Sequence, residues 1–340
     1  MIGLLRFVLA MLVVIAHLVQ GSYFFSHFGI FAVFGFYIIS GFLMAYVLNE
    51  TYSFKFFSFA CNRFLRLFPI YYFVALCSAI LIWSIPGAAE FHPKWTIQYR
   101  LEDALGNGLI FPFAFYDSSF RIVPPMWSVA IELINYFFLW LFVARSSTAA
   151  FASIGLALVY HVYAFSKGMY WGQRFYPFYA ALLPFSLGAV LFFLRHEIAA
   201  LPEKTVHRIA SISIIIWLLN LCICGIMDGL FGRWIDLFFY MNLISLVFFI
   251  ACYVSSHHPF PQVKKLGKPL GDLAYPIFLC HWIVAFGISL LFFKGQHTRF
   301  ALVVVSVIPI LAVSFCLARL ANLFEPYRNK IRNSATSTRP

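Results

Sequence analysis

Arg6 and His17 stand eleven residues apart in the first apolar segment, IGLLRFVLAMLVVIAHLVQ. A helix turns 100° per residue, so this offset returns to within about 20° of the same face, about 16 Å further along the axis. A guanidinium and an imidazole are both costly in a lipid-spanning helix. Aligned on one stripe, they read as a polar path through a membrane. The plainer alternative has Arg6 reaching back to the headgroups and His17 capping at the far interface.

Four further clusters carry usable chemistry. In KFFSFACNRFLRLFPIYY (55–72), Lys55, Arg63 and Arg66 precede an apolar run, and the two arginines are neighbours on one helix face. Their planar forks suit the phosphates of a soluble donor, with headgroup binding as the alternative. In PPMWSVAIELINYFF (124–138), Glu132 lies inside an apolar segment with Ser128 one turn before it. An intramembrane carboxylate implies a partner, and Arg6 or His17 are candidates; the alternative is a structural ion pair. A carboxylate beside His17 fixes its tautomer and stabilises the imidazolium. LGDLAYPIFLCHWIV (270–284) places His281 midway along another apolar run, as a secondary catalytic candidate or a hydrogen-bonded packing histidine. In LANLFEPYRNKIR (320–332), Glu325 and Pro326 end the last apolar run, and Glu325 pairs naturally with a nearby arginine. His257 and His258 are adjacent in a polar stretch and read as solvated loop; no metal site is expected.

The elements that must position these groups are transmembrane helices. The chain of 340 residues is 63% hydrophobic and 11% charged, with mean hydropathy +0.88. Soluble domains run near 25% charged. Long unbroken apolar runs exclude a β-barrel. Ten segments are long enough: 3–20, 28–48, 67–85, 127–144, 149–165, 175–194, 209–227, 234–254, 273–293 and 300–321. The weakest is 149–165, which is short and contains His161. The expected fold is therefore an all-α integral membrane protein of about ten transmembrane helices. With both termini cytoplasmic, 16 of the 24 Lys and Arg residues fall on the inner side. That two-to-one bias obeys the positive-inside rule, so the net charge of +12 marks topology rather than nucleic-acid binding. The stretch 86–126 forms the longest outer loop, with LGNGLIFPFAF too short to span: re-entrant, or lying on the outer surface. The loop is either a wall of a substrate site or a structured cap. The last residues, RNSATSTRP, read as disordered. The seven cysteines suggest neither a disulfide framework nor a zinc site.

In this order the clusters resemble the acyltransferase-3 family of membrane-bound acyltransferases. The resemblance rests on Arg6 and His17 with ten residues between them, the Ser-Gly-Phe turn of FGFYIISGFLM (34–44), NRFLRLFPIYY, Trp127-Ser128 with Glu132, LGDLAYPIFLCHW, and Phe324-Glu325-Pro326. Ala274 stands before Tyr275 where the family commonly has Ser, which puts a hydroxyl role there in doubt, and only five residues precede Arg6.

The resemblance implies one acyltransferase-3 transmembrane domain over 1–325 and a short polar cytoplasmic tail, 326–340. It implies a multi-pass protein of the bacterial inner membrane that moves an acyl group, typically acetyl, from cytoplasmic acyl-CoA to a hydroxyl of a cell-surface or lipid-linked glycan. Acyl-CoA is the donor substrate, and no permanently bound cofactor is implied. His17 would serve as general base or acyl carrier, Glu132 would orient it, Arg6 would guide the thioester, and Arg63 and Arg66 would grip donor phosphates. Ser128 and His281 are secondary candidates. A rival reading of the same buried charges is a transporter or flippase for a lipid-linked glycan.

Overall fold

The structure is a computed structural model that describes residues 2–19, 23–97, 100–231, 235–254 and 264–336. Its helices, in chain order, are α1 (Ile2–Leu18), α2 (Tyr23–Val47), α3 (Phe56–Ser84), α4 (Ala88–Phe91), α5 (Leu101–Leu109), α6 (Met126–Phe138), α7 (Ser147–Ser166), α8 (Leu182–Phe193), α9 (Arg195–Ala199), α10 (Glu203–Phe231), α11 (Ile235–Val254), α12 (Lys264–Phe292), α13 (Phe300–Asn322) and α14 (Glu325–Thr336). There is no strand among the described residues. Among the described residues, eight helical stretches are long and apolar enough to cross a membrane; α1 and α8 are apolar but shorter.

Each of the ten expected segments overlaps a helix, but the extents differ: α10 begins at Glu203 rather than 209, α12 at Lys264 rather than 273, and α3 and α8 differ further. Helix α3 begins at Phe56 rather than near 67, so Arg63 and Arg66, expected as neighbours on a helix face, lie within the same helix as the apolar run that follows them. The sixth segment, 175–194, contracts to the 12 residues of α8. Pro184 sits in the first turn of α8, where a missing N–H costs nothing. Further back its ring would meet the Ala180 carbonyl, and residues 177–181 turn instead on the Pro177 carbonyl. The tail is helical through Thr336, which corrects the disorder expected from 332 onward. Lys55 Nζ donates to the Ala335 carbonyl at 3.1 Å, a cation on the last turn of α14. His257 and His258 lie outside the described residues.

The chain divides into two compact units, Met1–Asn49 with Asn135–Ala274, and Glu50–Ile134 with Tyr275–Pro340. In the first, glycines let helices meet backbone to backbone. A Cβ on Gly3 would stand 1.7 Å from the Gly267 carbonyl oxygen, and one on Gly271 would stand 2.5 Å from the Gly3 Cα. Gly267 and Gly271, four apart, thus present a small-residue face of α12 to the start of α1.

In the second unit the stretch between α3 and α6 is a cap ordered by its own polar groups. Asn107 Nδ2 donates to the carbonyls of Asp103 (2.8 Å) and Phe120 (3.3 Å), and its Oδ1 accepts from the Ile122 N–H at 2.8 Å. Asp103 Oδ2 takes the Phe120 N–H at 3.1 Å. The tyrosines of the Pro-Ile-Tyr-Tyr element hold the end of α5: Tyr71 donates to the Asn107 carbonyl and Tyr72 to that of Gly108. The apolar stretch Leu105–Phe115 is split between α5 and a 3₁₀ turn at Phe111–Ala114, broken at Ile110 by a positive φ of 65°.

Candidate functional site

In the first unit, α1 carries Arg6 and His17 on one face. Between them on the same stripe lie Ala10 and Val13, both buried, with Leu9 and Val14 alongside; Val8, on the opposite face, is exposed. Both polar side chains are half-buried. The stripe therefore faces protein at its centre.

The other candidate site residues, Arg63, Arg66, Ser128, Glu132 and His281, belong to the second unit. Ser128 and Glu132 share a face of α6 one turn apart; Ser128 is buried and Glu132 half-buried. The Ser128 hydroxyl donates to the Pro125 carbonyl at 3.1 Å, closing the first turn. His281, fully buried on α12, shares a hydrogen with the Ile277 carbonyl at 3.1 Å. That bond is the one a packing histidine makes with the turn before it. Tyr275, from the same motif, ties α12 to α3 by donating to the Leu67 carbonyl at 3.0 Å. Ala274, where the family pattern has Ser, brings no hydroxyl to the buried position it occupies.

Asn62, between Arg63 and the α14 backbone, ties this part of α3 to α14, whose arginines add to a basic cluster that the sequence alone did not assemble. Arg63 is buried, lies over the Phe59 ring at 5.9 Å, and donates from Nη2 to Asn62 Oδ1 at 3.1 Å. The other end of the Asn62 amide donates to the Arg328 carbonyl at 3.0 Å. Arg328 pairs with Glu325 at 2.5 Å, and Arg332 approaches the same carboxylate at 4.0 Å. Glu325 thus takes the ion-pair role that its place at the helix end suggests. The Arg328 guanidinium is pushed below the usual arginine range by burial and, next, by the Arg66 charge. A signal for this existed: Glu325 and Arg328 are three apart, a helix-turn pair.

Two more groups went unread in the sequence. Arg174, almost fully buried, pairs with Asp236. Beside them His161 meets the Tyr240 hydroxyl and the Ala180 carbonyl, both at 3.0 Å. Asp236, His161 and Tyr240 line a cavity of about 530 Å³ in the first unit, whose other walls are apolar side chains of α7 and α11. In the second unit the Trp282 ring is met by three imidazoles, His92 at 4.3 Å, His281 at 5.8 Å and His297 at 6.2 Å. Neither grouping follows from sequence spacing, because each joins residues far apart along the chain.

Among known protein families, the model described as "Acyltransferase domain", of the acyltransferase-3 type, matches residues 2–319. Neither the curated proteins nor the solved structures return a match.

Proposed function

We infer that the chain, which belongs to the acyltransferase-3 family and is therefore a membrane acyltransferase, moves an acyl group from cytoplasmic acyl-CoA to a hydroxyl of a cell-surface or lipid-linked glycan. The acyl group is acetyl in the simplest case, and the setting is the bacterial inner membrane with both chain ends inside. The two-to-one distribution of basic residues supports that orientation. The observation that carries the chemistry is the Arg6–His17 stripe on the buried side of α1.

The acceptor hydroxyl oxygen attacks the thioester carbonyl. His17 takes the hydroxyl proton as the new C–O bond forms, the C–S bond breaks, and the coenzyme A thiolate leaves and takes up a proton. Positioned proton transfer of this kind contributes roughly 10²–10⁴-fold. The variant route has His17 attack first and carry the acyl group before the hydroxyl displaces it. Arg6 guides the thioester carbonyl, Glu132 balances the charge that the imidazole takes up, and Arg63 with Arg66 grips donor phosphates. His281 and Ser128 stand behind these as secondary candidates.

The test uses the purified full chain in lipid nanodiscs with acetyl-labelled CoA and extracted surface glycolipid. The expected result is a base-labile labelled ester on the glycan, lost in His17→Ala. Label that persists at the wild-type level in His17→Ala removes the assignment of His17. Glycolipid that crosses a vesicle membrane without gaining label points instead to a transporter or flippase.

A further inference from the structure

Helix α14 lies beyond residues 2–319, the stretch the family match covers. It nevertheless packs on the part of α3 that carries Asn62, Arg63 and Arg66, and three observations locate its Arg328 there. The Asn62 amide bridges the two helices, giving one hydrogen bond to the Arg328 carbonyl at 3.0 Å and accepting one from Arg63 at 3.1 Å. Asn62 and Arg66 are four apart on α3, so Arg66 projects from the same face one turn on; burial first, and the Arg66 charge after it, lower the Arg328 pKa. Glu325 is shared between Arg328 and Arg332, and among the described residues the buried Arg328 Nε has no hydrogen-bond partner.

One carboxylate shared by two guanidiniums, with a third close by, leaves an excess of positive charge in a partly desolvated place. A phosphate satisfies it, because it accepts several charge-assisted hydrogen bonds at once. Of the phosphates on acyl-CoA, the terminal phosphomonoester carries the most charge, about −1.5 to −2 at neutral pH. The two phosphates of the diphosphate bridge carry about one charge each.

We propose that Arg328, together with Arg66, holds the 3′-phosphate of the acyl-CoA donor, so that the C-terminal helix forms one wall of the donor site. The proposal rests on the donor reading of Arg63 and Arg66. Glu325 positions Arg328 by fixing Nη1 and leaving the rest of the fork to the phosphate. Asn62 sets the distance between the helices through the Arg328 backbone, so the side chain can be changed without cutting that bridge.

The experiment compares KM for acetyl-CoA and for 3′-dephospho-acetyl-CoA in the full chain. The wild-type protein is expected to prefer the phosphorylated donor about tenfold or more, the scale of a lost charge-assisted contact. Arg328→Ala and Arg328→Gln are both measured, the second because it keeps the aliphatic packing. In either variant KM for acetyl-CoA rises by a similar factor while KM for the dephospho donor does not move, and the preference disappears. A preference that survives in Arg328→Gln overturns the proposal, as does an equal rise in both KM values. Arg66→Ala separates the two levels. If it abolishes the preference while Arg328→Gln does not, α14 is not the wall. If neither Arg63→Ala nor Arg66→Ala changes KM for either donor, the donor reading itself fails.

Discussion

Gly41 of α2 and Gly188 of α8 meet backbone to backbone. A Cβ on Gly41 would lie 2.1 Å from the Phe185 carbonyl oxygen, and one on Gly188 would lie 2.1 Å from that of Ile38. Main chain cannot move aside as a side-chain tip can, so Gly41→Ala must part the two helices. Around the crossing Phe185, Ile38 and Tyr37 are all buried, and Tyr37 stacks on Phe185 at 4.9 Å. Overpacking of this kind costs about 1–3 kcal/mol or more. Thermal unfolding of the detergent-solubilised protein should show a clear drop in midpoint for Gly41→Ala. Gly155, whose Cβ would meet nothing within 4 Å, is the control, and Gly155→Ala should leave the midpoint unchanged or raise it.

Asn107 does the work of several backbone bonds in the cap between α3 and α6. Its side chain holds Asp103, Phe120 and Ile122, while its own carbonyl receives the Tyr71 hydroxyl. Asn107→Ala strands three backbone partners at once and should destabilise the protein by roughly 2–4 kcal/mol, at about 1 kcal/mol for each bond. Tyr72→Phe removes one exposed bond, to Gly108, and should cost under about 1 kcal/mol. Protease nicking within 86–125 measures the difference: rapid cleavage for Asn107→Ala, near wild-type survival for Tyr72→Phe. Equal survival of the two would mean that the cap is held by its apolar packing.

Much of this was legible in the sequence, and the limits have physical causes. Apolar run length marked every long helix, because a lipid-spanning helix must satisfy its backbone internally and be apolar along its length. The same criterion cannot see a helix that continues past the apolar run, so the start of α3 at Phe56 was missed. The contraction of the sixth segment was missed as well, because hydropathy does not register the helix-limiting ring of Pro184. The pairings Asn62–Arg328, Arg174–Asp236 and His92–Trp282 were invisible, because periodicity reports which face a residue occupies and not which distant segment covers that face. Gly41 entered only as part of a motif; its reason, a helix crossing with no room for a Cβ, needed coordinates.

The Arg6–His17 stripe makes a prediction that distinguishes chemistry from packing. His17→Ala should lower acyl-transfer kcat by about 10²–10⁴-fold with little change in the unfolding midpoint, since a half-buried imidazole contributes modestly to packing. Arg6→Lys keeps a charge on the same face but loses the planar fork, and should retain more activity than Arg6→Ala. Moving the charge round the helix tests the geometry. The double variant Arg6→Leu, Phe7→Arg places the cation about 100° away and should be as inactive as Arg6→Ala. Restored transfer in that protein would show that the charge matters and its face does not.

His92 gives the fold an acid sensitivity whose direction is fixed. Burial first, then the positive charges of Arg121, His281, Lys94 and His297, lower its pKa from the usual 6.5 to about 3. His297, in the loop before α13, is lowered too, chiefly by burial. Between those values the unfolded chain binds a proton at His92 that the folded protein refuses. The stability that the neutral ring provides is therefore complete above about pH 6.5 and falls steadily as the pH drops toward 3. Between pH 7 and pH 5, where most carboxylates stay ionised, this single group removes at most about 2 kcal/mol. His92→Asn is the informative change, because a short amide oxygen can still accept the Lys94 N–H that the ring nitrogen takes at 3.1 Å. The wild-type unfolding midpoint should fall on going from pH 7 to pH 5, and the fall should be much shallower in His92→Asn. Matching slopes in the two proteins would assign the acid sensitivity to other groups.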